Sequence, residues 1–475
     1  MTTVSERPLT PAGEPPPWRE VFAGQRGRLT LGLLLLEALV AIEALIVAVI
    51  LPAVEADLGG LSLYGWAFTA FTLASFATVP IAGRMTDRIG PRKVLAFSVV
   101  LYAAGLVGAA SAPSIFILVI GRFVQGVGGG GLYTASLATV AKTYDERLRP
   151  RVMALLASMW ILPGLVGPPF GALLASTIGW RWAFAAPVPV LLFAWILIAP
   201  ALGDTPIATE PDKHLPIRAP LQLMLGAGLF LTGLTLISPL GIGLVVGGIV
   251  IALPALTDIV PRGTLRGAPG LPAAAAAAFL LSAAFLGVDS FITLMLTGIR
   301  GVSLAEASIV VTAATVAWAA GSFWQSSRAE RIQPSRLVLV GTWLITIGIA
   351  AVAGGLIDSV PIVVPYVGWG LAGLGMGVAF PTVPLSVMRA AEDENQAEEL
   401  SSTLLMDTLG MAVGAGLGGG CIALSLAFNE GLRVGIAGAY GVGFLAALLL
   451  FVVARRLPSE LASPGGAVDA PRAGH

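Results

Sequence analysis

The sequence predicts an all-α polytopic membrane protein with 14 transmembrane helices, arranged as two parallel six-helix repeats with a two-helix insertion between them. Three observations lead to this fold class. The chain of 475 residues is 56% hydrophobic and only 11% charged, which leaves too little polar surface to coat a soluble protein. Long apolar stretches recur along the chain. A short charged turn also occurs twice at matching positions.

The apolar stretches define the predicted helices, because a membrane-spanning helix needs about 20 mostly apolar residues. In chain order they are 29–52, 63–83, 93–111, 114–141, 152–177, 183–202, 219–238, 240–260, 272–298, 304–325, 336–356, 360–388, 399–426 and 433–454. The predicted regions are an N-terminal tail (1–28), a first bundle (29–203), a linker with two extra helices (204–270), a second bundle (271–456) and a C-terminal tail (457–475).

The charged turns reveal an internal duplication. The turn GRMTDRIGPRKV contains Asp87, and the turn ERIQPSRL begins with Glu330, so an acid, Arg, Ile and Pro recur 243 positions apart. Glu43 and Asp289 are 246 positions apart, and GVGGG at Gly126 is echoed by GLGMG 247 positions later. Parallel repeats around a cavity at mid-membrane favour alternating access by rocking of one half against the other.

The basic residues predict the orientation in the membrane. Of 27 basic residues, only Arg181, Arg300 and Arg433 fall in loops on one side, and Arg122 lies inside a helix. The positive-inside rule therefore predicts a multi-pass protein of the cell membrane with both termini in the cytoplasm. The N-terminal tail is rich in Pro and Arg and has no apolar core, which favours a cytoplasmic tail over a cleaved signal peptide.

Several other classes of function lack the residues they need. A single cysteine, Cys421, and two histidines, His214 and His475, exclude a cysteine-built metal site and an HExxH zinc helix. The net charge is zero and the charges lie in loops, so no nucleic-acid surface is expected. The GxGxxG strings 126–131 and 414–419 follow no strand, so they do not indicate a nucleotide site. We expect no cofactor, no metal and no enzyme activity.

Charged residues inside the predicted helices are the candidates for function, because each costs about 2.5 to 3.5 kcal/mol near the bilayer centre on insertion scales. Glu43 and Arg122 lie eight or nine residues from the outer ends of their helices, at roughly 12 to 14 Å depth, and are expected to meet. Separating and reuniting such a pair would couple movement to proton transfer. The alternative is a fixed ion pair that only orients two helices. Glu37, on another face of the same helix, is the weaker candidate.

Two carboxylates of the second bundle are further candidates. Asp289 occupies the repeat position of Glu43 and is predicted to handle a proton or a cation. Asp407 lies nearer the cytoplasmic end of its helix, where snorkelling to the interface is an equally good interpretation.

The motifs resemble those of a known family. GRMTDRIGPRK is similar to the loop 2/3 signature of the major facilitator superfamily, LVIGRFVQGVGGGG to its arginine motif in helix 4, and GLVGPPFG to the Gly-Pro motif of its antiporters. GWRWAF and the central hairpin are similar to the fourteen-helix drug:proton antiporter branch. The resemblance runs from the first helix to the last. The chain departs from that branch in helix 1, where Glu43, Leu45 and Ala48 replace an Asp, a Thr and an Asn.

Two further groups of residues are predicted to serve conformational change. The charged turn is too superficial to bind a buried substrate, and we expect it to latch the helix ends in one state, the alternative being a plain topogenic loop. Its members are Gly83, Asp87, Arg88, Gly90, Arg92 and Lys93. Small residues and prolines in helix 5 allow close helix contact and a kink. These are Gly164, Gly167, Pro168 and Gly171.

The leading hypothesis is a secondary active transporter that exports amphipathic drugs or similar compounds in exchange for protons. Its predicted partners are a small-molecule substrate, protons and the lipid bilayer, and it is expected to act as a monomer. Trp66, Trp160, Trp324 and Trp369 either line a cavity for flat substrates or belong to interfacial belts. An exporter of a lipid or an endogenous metabolite is the alternative within transporters. A membrane sensor or enzyme is the alternative from another class.

Overall fold

The computed structural model describes residues 18–145, 147–159, 161–202, 218–236, 238–391 and 396–458. Most of both predicted tails, the start of the linker, Trp160 and both histidines lie outside these residues. The helices of the first half are α1 (Trp18–Val21), α2 (Gly24–Leu58), α3 (Trp66–Ile89), α4 (Pro91–Ala110), α5 (Ile115–Thr143), α6 (Arg149–Ser158), α7 (Ile161–Thr177), α8 (Arg181–Ala185) and α9 (Pro187–Ile198).

Two helices that pack on each other as a hairpin, α10 (Arg218–Thr235) and α11 (Pro239–Ile259), precede the second half. The remaining helices are α12 (Leu271–Gly298), α13 (Leu304–Ser326), α14 (Pro334–Gly354), α15 (Val363–Ala379), α16 (Thr382–Ala390), α17 (Gln396–Ala427) and α18 (Gly431–Ala454). The regular secondary structure of the described residues is entirely helical, as predicted. Helices suit a bilayer because they satisfy their backbone groups internally.

Local sequence explains where individual helices begin. Ser303 and Glu306 form a capping box at the start of α13, in which Glu306 N donates to Ser303 Oγ at 3.2 Å and Ser303 N donates to Glu306 Oε2 at 3.0 Å. Gly90 joins α3 to α4 with φ of 85°, a left-handed conformation that glycine adopts without strain, and Pro91 then begins α4.

Within the described residues, 12 segments are long and apolar enough to cross a membrane, so the 14 predicted spans are not confirmed. The predicted span 152–177 appears as α6 and α7, separated by Met159 and by Trp160, which lies outside the described residues. The predicted span 219–238 appears as α10, which has 18 residues and is less apolar because it includes Arg218 and Gln222. α6 and α7 are each too short to count as a membrane span, and α10 is long enough but not apolar enough.

The packing of the helices repeats between the two halves. In the first half α3 and α4 both pack along α5, and α2 packs against α7 and α9. In the second half α13 and α14 both pack along α15, and α12 packs against α17 and α18. This repetition agrees with the duplication that the charged turns and the motif spacing predict.

The two ends of the bundle differ in charge. At the end that we call the basic end lie Arg88, Lys142 and Arg331, next to the ends of α3, α5 and α13. At the opposite end Arg181 Nη1 donates to Asp57 Oδ2 at 2.7 Å. Also at the opposite end, Arg433 donates to Asp358 at 2.8 Å, and this hydrogen bond holds the pKa of the Asp358 carboxyl below its usual value.

The two halves meet mainly through α3 with α17, α7 with α13, and α2 with α12. The hairpin of α10 and α11 lies beside this contact, because α10 packs against both α3 and α17. Gly416 and Gly420 of α17 face Leu231 and Leu234 of α10 closely: a Cβ on Gly416 would lie 2.5 Å from Leu231 Cδ1. The glycines therefore let α10 approach the seam between the halves.

Candidate functional site

The structure brings Glu43 of α2 and Arg122 of α5 together inside the first half. Arg122 Nη1 donates to Glu43 Oε1 at 2.6 Å. The two residues are 1% and 3% exposed, so the ion pair is removed from both lipid and water. This contact agrees with the matched depths that the helix rise predicts.

Arg122 is held by three helices. Its Nε donates to the carbonyl oxygen of Ala67 on α3 at 3.0 Å, and its Nη1 also donates to Gln125 Oε1 on its own helix at 2.7 Å. The guanidinium carbon lies 4.6 Å from the centre of the Phe71 ring, which adds a cation–π contact. A planar group with several donors in a fixed fork suits this arrangement, and lysine would not reproduce it.

Glycines allow the helices to come close enough for these contacts. A Cβ on Gly105 of α4 would lie 2.4 Å from the backbone nitrogen of Gln125, and one on Gly128 of α5 would lie 2.4 Å from that of Tyr102. A Cβ on Gly126 would lie 2.3 Å from the carbonyl oxygen of Phe71 on α3. The glycine run of α5 therefore packs that helix against two neighbours at backbone distance.

Three polar atoms beside the ion pair are buried without a hydrogen-bond partner among the described residues. They are Glu43 Oε2, Gln125 Nε2 and the Tyr102 hydroxyl. Tyr102 is fully buried, and its hydroxyl lies close enough to the Glu43 and Gln125 side chains for weak hydrogen bonding, although no donor–acceptor distance falls within 3.5 Å. Leaving such groups unpaired in a dry interior costs free energy. The cluster therefore contains donors and acceptors that could form a second set of hydrogen bonds. Sequence reasoning missed Gln125 and Tyr102 as neighbours of the pair.

The repeat-related carboxylate of the second half has a different environment. Trp369 Nε1 on α15 donates to Asp289 Oδ1 at 2.8 Å. The Trp369 ring stacks on Phe285 with centroids 4.7 Å apart and an angle of 8°, and Phe285 contacts Trp318 edge-on at 5.5 Å. Asp289 forms no salt bridge in the described part of the chain. An indole and stacked rings thus occupy the region that arginine fills in the first half.

Asp407 lies in α17 and faces α12, where the Ser282 hydroxyl donates to Asp407 Oδ1. The carboxylate is half-buried and lies 11 residues inside the helix, roughly 16 Å from its first residue at 1.5 Å per residue. A hydrogen bond across two helices is a different arrangement from a side chain that reaches for the interface.

Among the described residues, two hydrogen bonds join the halves. Both lie nearer the opposite end of the bundle than Glu43 and Asp289 do. Thr293 donates to the carbonyl oxygen of Ala48 at 2.5 Å, and Thr69 donates to that of Ala412 at 3.1 Å. The rings of Tyr64 and Phe291 lie 5.8 Å apart in the same region. The hydrogen bonds between the halves are therefore found between the buried carboxylates and the opposite end.

The charged turn forms its ion pair within the first half. Lys142 at the end of α5 donates to Asp87 at 3.4 Å, and the two side chains are 30% and 51% exposed. The turn's other charged members, Arg88, Arg92 and Lys93, are exposed. The pair joins the basic ends of α3 and α5, so it ties neighbouring helices of one bundle.

The small residues of α7 lie between the halves. A Cβ on Gly164 would lie 2.3 Å from Thr315 of α13, and one on Gly171 would lie 2.9 Å from Ile46 of α2. Gly167 also faces α2, and Pro168 lies within the helix without ending it. These positions allow α7 to contact both bundles closely.

The tryptophans named as cavity candidates have separate locations. Trp369 is fully buried at Asp289. Trp324 is 40% exposed near the basic end with the Arg328 guanidinium over its ring, as is typical of an interfacial position. Trp66 is half-buried at the start of α3, and Trp160 lies outside the described residues.

These features define a polytopic helical membrane protein built from two related bundles, with a buried ion pair in one of them. Residues 33–288 match the sequence profile of the Major Facilitator Superfamily, which covers more than half of the chain. The chain belongs to this superfamily of membrane transporters.

Curated relatives extend the match along most of the chain. A multidrug resistance protein B homolog of Mycobacterium tuberculosis is 29% identical over 408 residues, covering 80% of this chain and 73% of the relative. A probable multidrug-efflux transporter of the same species is 25% identical over 431 residues, covering 86% and 90%. The multidrug transporter protein MdtP of Bacillus subtilis is 24% identical over 411 residues, covering 83% and 75%.

Solved structures show the same fold at low sequence identity. A bacterial homolog of the human lysosomal transporter Spinster aligns with a TM-score of 0.64 and 16% identity, covering 91% of this chain and 98% of that one. A D-xylose-proton symporter aligns with a TM-score of 0.65 and 14% identity, covering 92% and 99%. At these identities the likeness concerns the fold alone.

Proposed function

We propose that the protein exports amphipathic small molecules across the cell membrane in exchange for protons, by alternating access between its two bundles. The observation that carries this proposal is the Glu43–Arg122 ion pair, which is buried within the first bundle. Two opposite charges are stable in a buried environment only when they are paired. Protonation of the Glu43 carboxylate would therefore release Arg122 from the ion pair. Movement and proton binding are thereby linked through one contact.

The residues beside the ion pair favour a pair that breaks and re-forms during transport over one that is permanently structural. A purely structural ion pair gains most when all its hydrogen-bonding atoms are satisfied. Here Glu43 Oε2 and the Tyr102 hydroxyl are buried without partners among the described residues. A protonated Glu43 would supply the donor, and Tyr102 would supply an acceptor within the same cluster.

The carboxylates of the second bundle take up the remaining roles in this proposal. Asp289 lies beside stacked aromatic rings, which suits contact with a flat substrate or handling of a second charge. Asp407 is hydrogen-bonded to Ser282 between α17 and α12, where a change of protonation would alter a contact inside the second bundle. Both are proposed as substrate or proton sites.

We assign the basic end to the cytoplasm and both termini to the same side, following the distribution of Arg and Lys. With that orientation, the hydrogen bonds of Thr293 and Thr69 between the halves lie on the outer side. The hairpin of α10 and α11, which lies between the bundles in sequence, supports the fourteen-helix arrangement when α6 and α7 count as one span. We propose that a monomer is the functional unit.

The conformational residues complete the proposed cycle. The Asp87–Lys142 pair is proposed to latch the basic ends of α3 and α5 in one state and to exchange partners in the other. Gly90 gives the turn its positive φ of 85°, whereas a Cβ on Gly83 would meet Thr134 at 3.6 Å, an ordinary contact distance. Gly83 and Gly90 remain proposed members of the latch, and Arg88, Arg92 and Lys93 supply exposed alternative partners. Gly164, Gly167, Pro168 and Gly171 are proposed to let α7 move against α13 and α2.

The names of three relatives describe multidrug resistance, multidrug transport and multidrug efflux, which supports drugs or similar compounds as the cargo. The test is transport by the purified protein in proteoliposomes with an imposed pH gradient, against a panel of cationic, neutral and zwitterionic drugs and a fluorescent lipid. We expect accumulation of drugs against their gradient when protons flow the other way, and collapse of transport when an ionophore removes the gradient. Transport of the lipid alone would replace drug export by lipid export. Transport that is indifferent to the gradient would contradict the proposal.

A further inference from the structure

A group of exposed arginines lies at the basic end, where the segment between α11 and α12 meets the end of α18. We call it the arginine cluster, and its members are Arg262, Arg266, Arg455 and Arg456. Arg456 Nη1 donates to the carbonyl oxygens of Arg266 and Gly267 at 3.1 and 3.0 Å, and Gly270 N donates to the carbonyl oxygen of Arg456 at 2.9 Å. These hydrogen bonds hold the segment against α18, so the cluster has a fixed place on the protein.

No carboxylate neutralises the arginine cluster in the described part of the chain. None of its members forms a salt bridge there, and Asp258, which lies four positions before Arg262, is exposed and forms none either. Arg456 is hydrogen-bonded to carbonyl groups, which carry no net charge and leave its own charge uncompensated. Like charges that are held close together repel one another, so the cluster attracts an anion.

An apolar surface of α18 lies next to the cluster, towards the middle of the membrane. Val452 and Leu448 are 50% and 44% exposed, and they precede Arg456 by roughly 6 and 12 Å at 1.5 Å per residue. The ring of Phe451 contacts that of Trp343 on α14 edge-on, with centroids 4.8 Å apart, and Trp343 is 60% exposed. The surface therefore changes from apolar to cationic along one helix.

We propose that the arginine cluster binds the phosphate head group of an anionic phospholipid, whose acyl chains lie along the apolar surface of α18. A guanidinium suits a phosphate because its planar fork donates two parallel hydrogen bonds to phosphate oxygens. Arg456 keeps Nε and Nη2 for this contact, since only its Nη1 donates to described residues. A lipid uses the cationic and the apolar surface together, whereas a soluble anion would use only the first.

The position of the cluster gives the bound lipid a structural consequence. Two of the arginines belong to the segment that follows the hairpin of α10 and α11, and two follow α18. One phosphate group held by both pairs would fasten the hairpin to the second bundle and offset the repulsion between the four charges. This lipid is a fixed partner of the outer surface, so the inference does not depend on the proposed export function.

The test compares phosphatidylglycerol with phosphatidylcholine that carries the same acyl chains. Binding of each lipid to the purified full-length protein in detergent is measured by native mass spectrometry. Arg266→Gln/Arg455→Gln removes one arginine from each side of the cluster and leaves the side chain of Arg456 in place. The matched control, Arg331→Gln/Arg336→Gln, removes two exposed arginines of the same basic end that lie in the turn between α13 and α14.

We expect the first double variant to raise the Kd of phosphatidylglycerol by about 5-fold for each arginine removed, or about 25-fold in all. The control should stay within about 2-fold of the parent protein, and the Kd of phosphatidylcholine should change by no more than about 2-fold in either variant. Equal weakening in the two double variants would assign the effect to the overall charge of the basic end and overturn the site. Unchanged binding in the first variant would overturn it as well.

A competition experiment distinguishes a lipid from a soluble anion. Inorganic phosphate in large excess should displace bound phosphatidylglycerol no better than sodium chloride of the same ionic strength, because it gains nothing from the apolar surface of α18. Displacement by phosphate at concentrations comparable with those of the lipid would contradict a lipid site.

Thermal unfolding tests the link between the hairpin and α18, and Arg266→Lys/Arg455→Lys serves if the Gln variant proves unstable. Phosphatidylglycerol should raise the unfolding temperature of the parent protein, because a ligand that binds only the folded state stabilises it. The rise should be smaller in the Lys variant, which keeps the charges but not the planar fork, and smallest in the Gln variant. The same rise in all three proteins would mean that the lipid does not bridge the segment and α18 through these arginines.

Discussion

The two bundles place a carboxylate at the same repeat position and surround it differently. Glu43 in the first bundle is paired with Arg122, whereas Asp289 in the second accepts a hydrogen bond from Trp369 within a stack of aromatic rings. A charge paired with a cation is controlled by breaking and remaking that pair, and a charge beside aromatic faces is available to a ligand. In the function proposed above, one of the two positions serves coupling and the other serves contact with cargo.

Removing the Arg122 cation should reveal the largest difference between the two bundles. Arg122→Ala leaves a buried carboxylate unpaired, so we expect a loss of stability of about 3 to 5 kcal/mol and loss of transport. Arg122→Lys should recover only part of both, because a point charge cannot make the contacts to Glu43, Gln125 and Ala67 together. Thermal unfolding in detergent measures the stability.

The double variant Glu43→Gln/Arg122→Gln is the control for that experiment. It removes both charges and should unfold closer to the parent protein than Arg122→Ala does. If Arg122→Ala unfolds like the parent protein, the ion pair contributes little and the contrast between the bundles loses its basis.

The charged turns offer a second comparison between repeats. Asp87→Asn should reduce transport without changing equilibrium binding, because Asp87 is exposed in the charged turn and, as the proposed latch, would bias only the populations of the two states. A latch worth about 1 to 3 kcal/mol shifts their ratio roughly 5-fold to 150-fold when it is lost. Distances between spin labels on the basic ends of α3 and α17 report that shift. Glu330→Gln, at the repeat position, is the matched control and should have the smaller effect. If the distances are unchanged and transport is normal, the turn serves only to set the orientation of the helices in the membrane.

Asp289→Asn should change substrate preference more than overall activity. We expect the ratio of transport efficiencies for cationic and neutral substrates to change about 10-fold, because one charged contact is removed while Glu43 still couples. Trp369→Phe keeps a ring against Phe285 and removes only the indole donor, so it should have the milder phenotype. Identical kinetics for cationic and neutral substrates in Asp289→Asn would assign this residue to the scaffold.

The smallest effect should come from Tyr102→Phe, which deletes a buried hydroxyl that has no partner among the described residues. Stability should change by less than about 1 kcal/mol, since the hydroxyl makes no hydrogen bond within 3.5 Å in this state. Transport should nevertheless show a displaced dependence on pH if the hydroxyl pairs with Glu43 later in the cycle. Tyr440→Phe, a buried tyrosine of the second bundle, is the control. A pH profile that is the same in both variants would exclude Tyr102 from coupling.

Much of the fold follows from local sequence. Apolar length and the charged turns predict the helices and their duplication, and the rise per residue places Glu43 and Arg122 at one depth. The predicted number of spans is less secure, because α10 includes Arg218 and is only moderately apolar.

The partners of the site were harder to predict because they depend on tertiary packing. Tyr102 reaches the pair only because Gly105 and Gly128 let α4 and α5 touch, and Trp369 is 80 residues from Asp289 in sequence. One usable signal was present: Gln125 lies three residues after Arg122, which puts the two on neighbouring positions of one helix face. Hydrogen bonds such as that of Thr293 to Ala48 join separate bundles, so they depend on the conformational state as well as on sequence.

The most direct test of the central claim compares two transport modes in one variant. Glu43→Gln keeps the shape of the side chain and removes its titratable proton, so substrate exchange between the two sides of a proteoliposome at equal pH should continue. Uphill export driven by a pH gradient should fall to the level of liposomes without protein. Gradient-driven export by Glu43→Gln at the rate of the parent protein would contradict the claim that this carboxylate couples protons to transport.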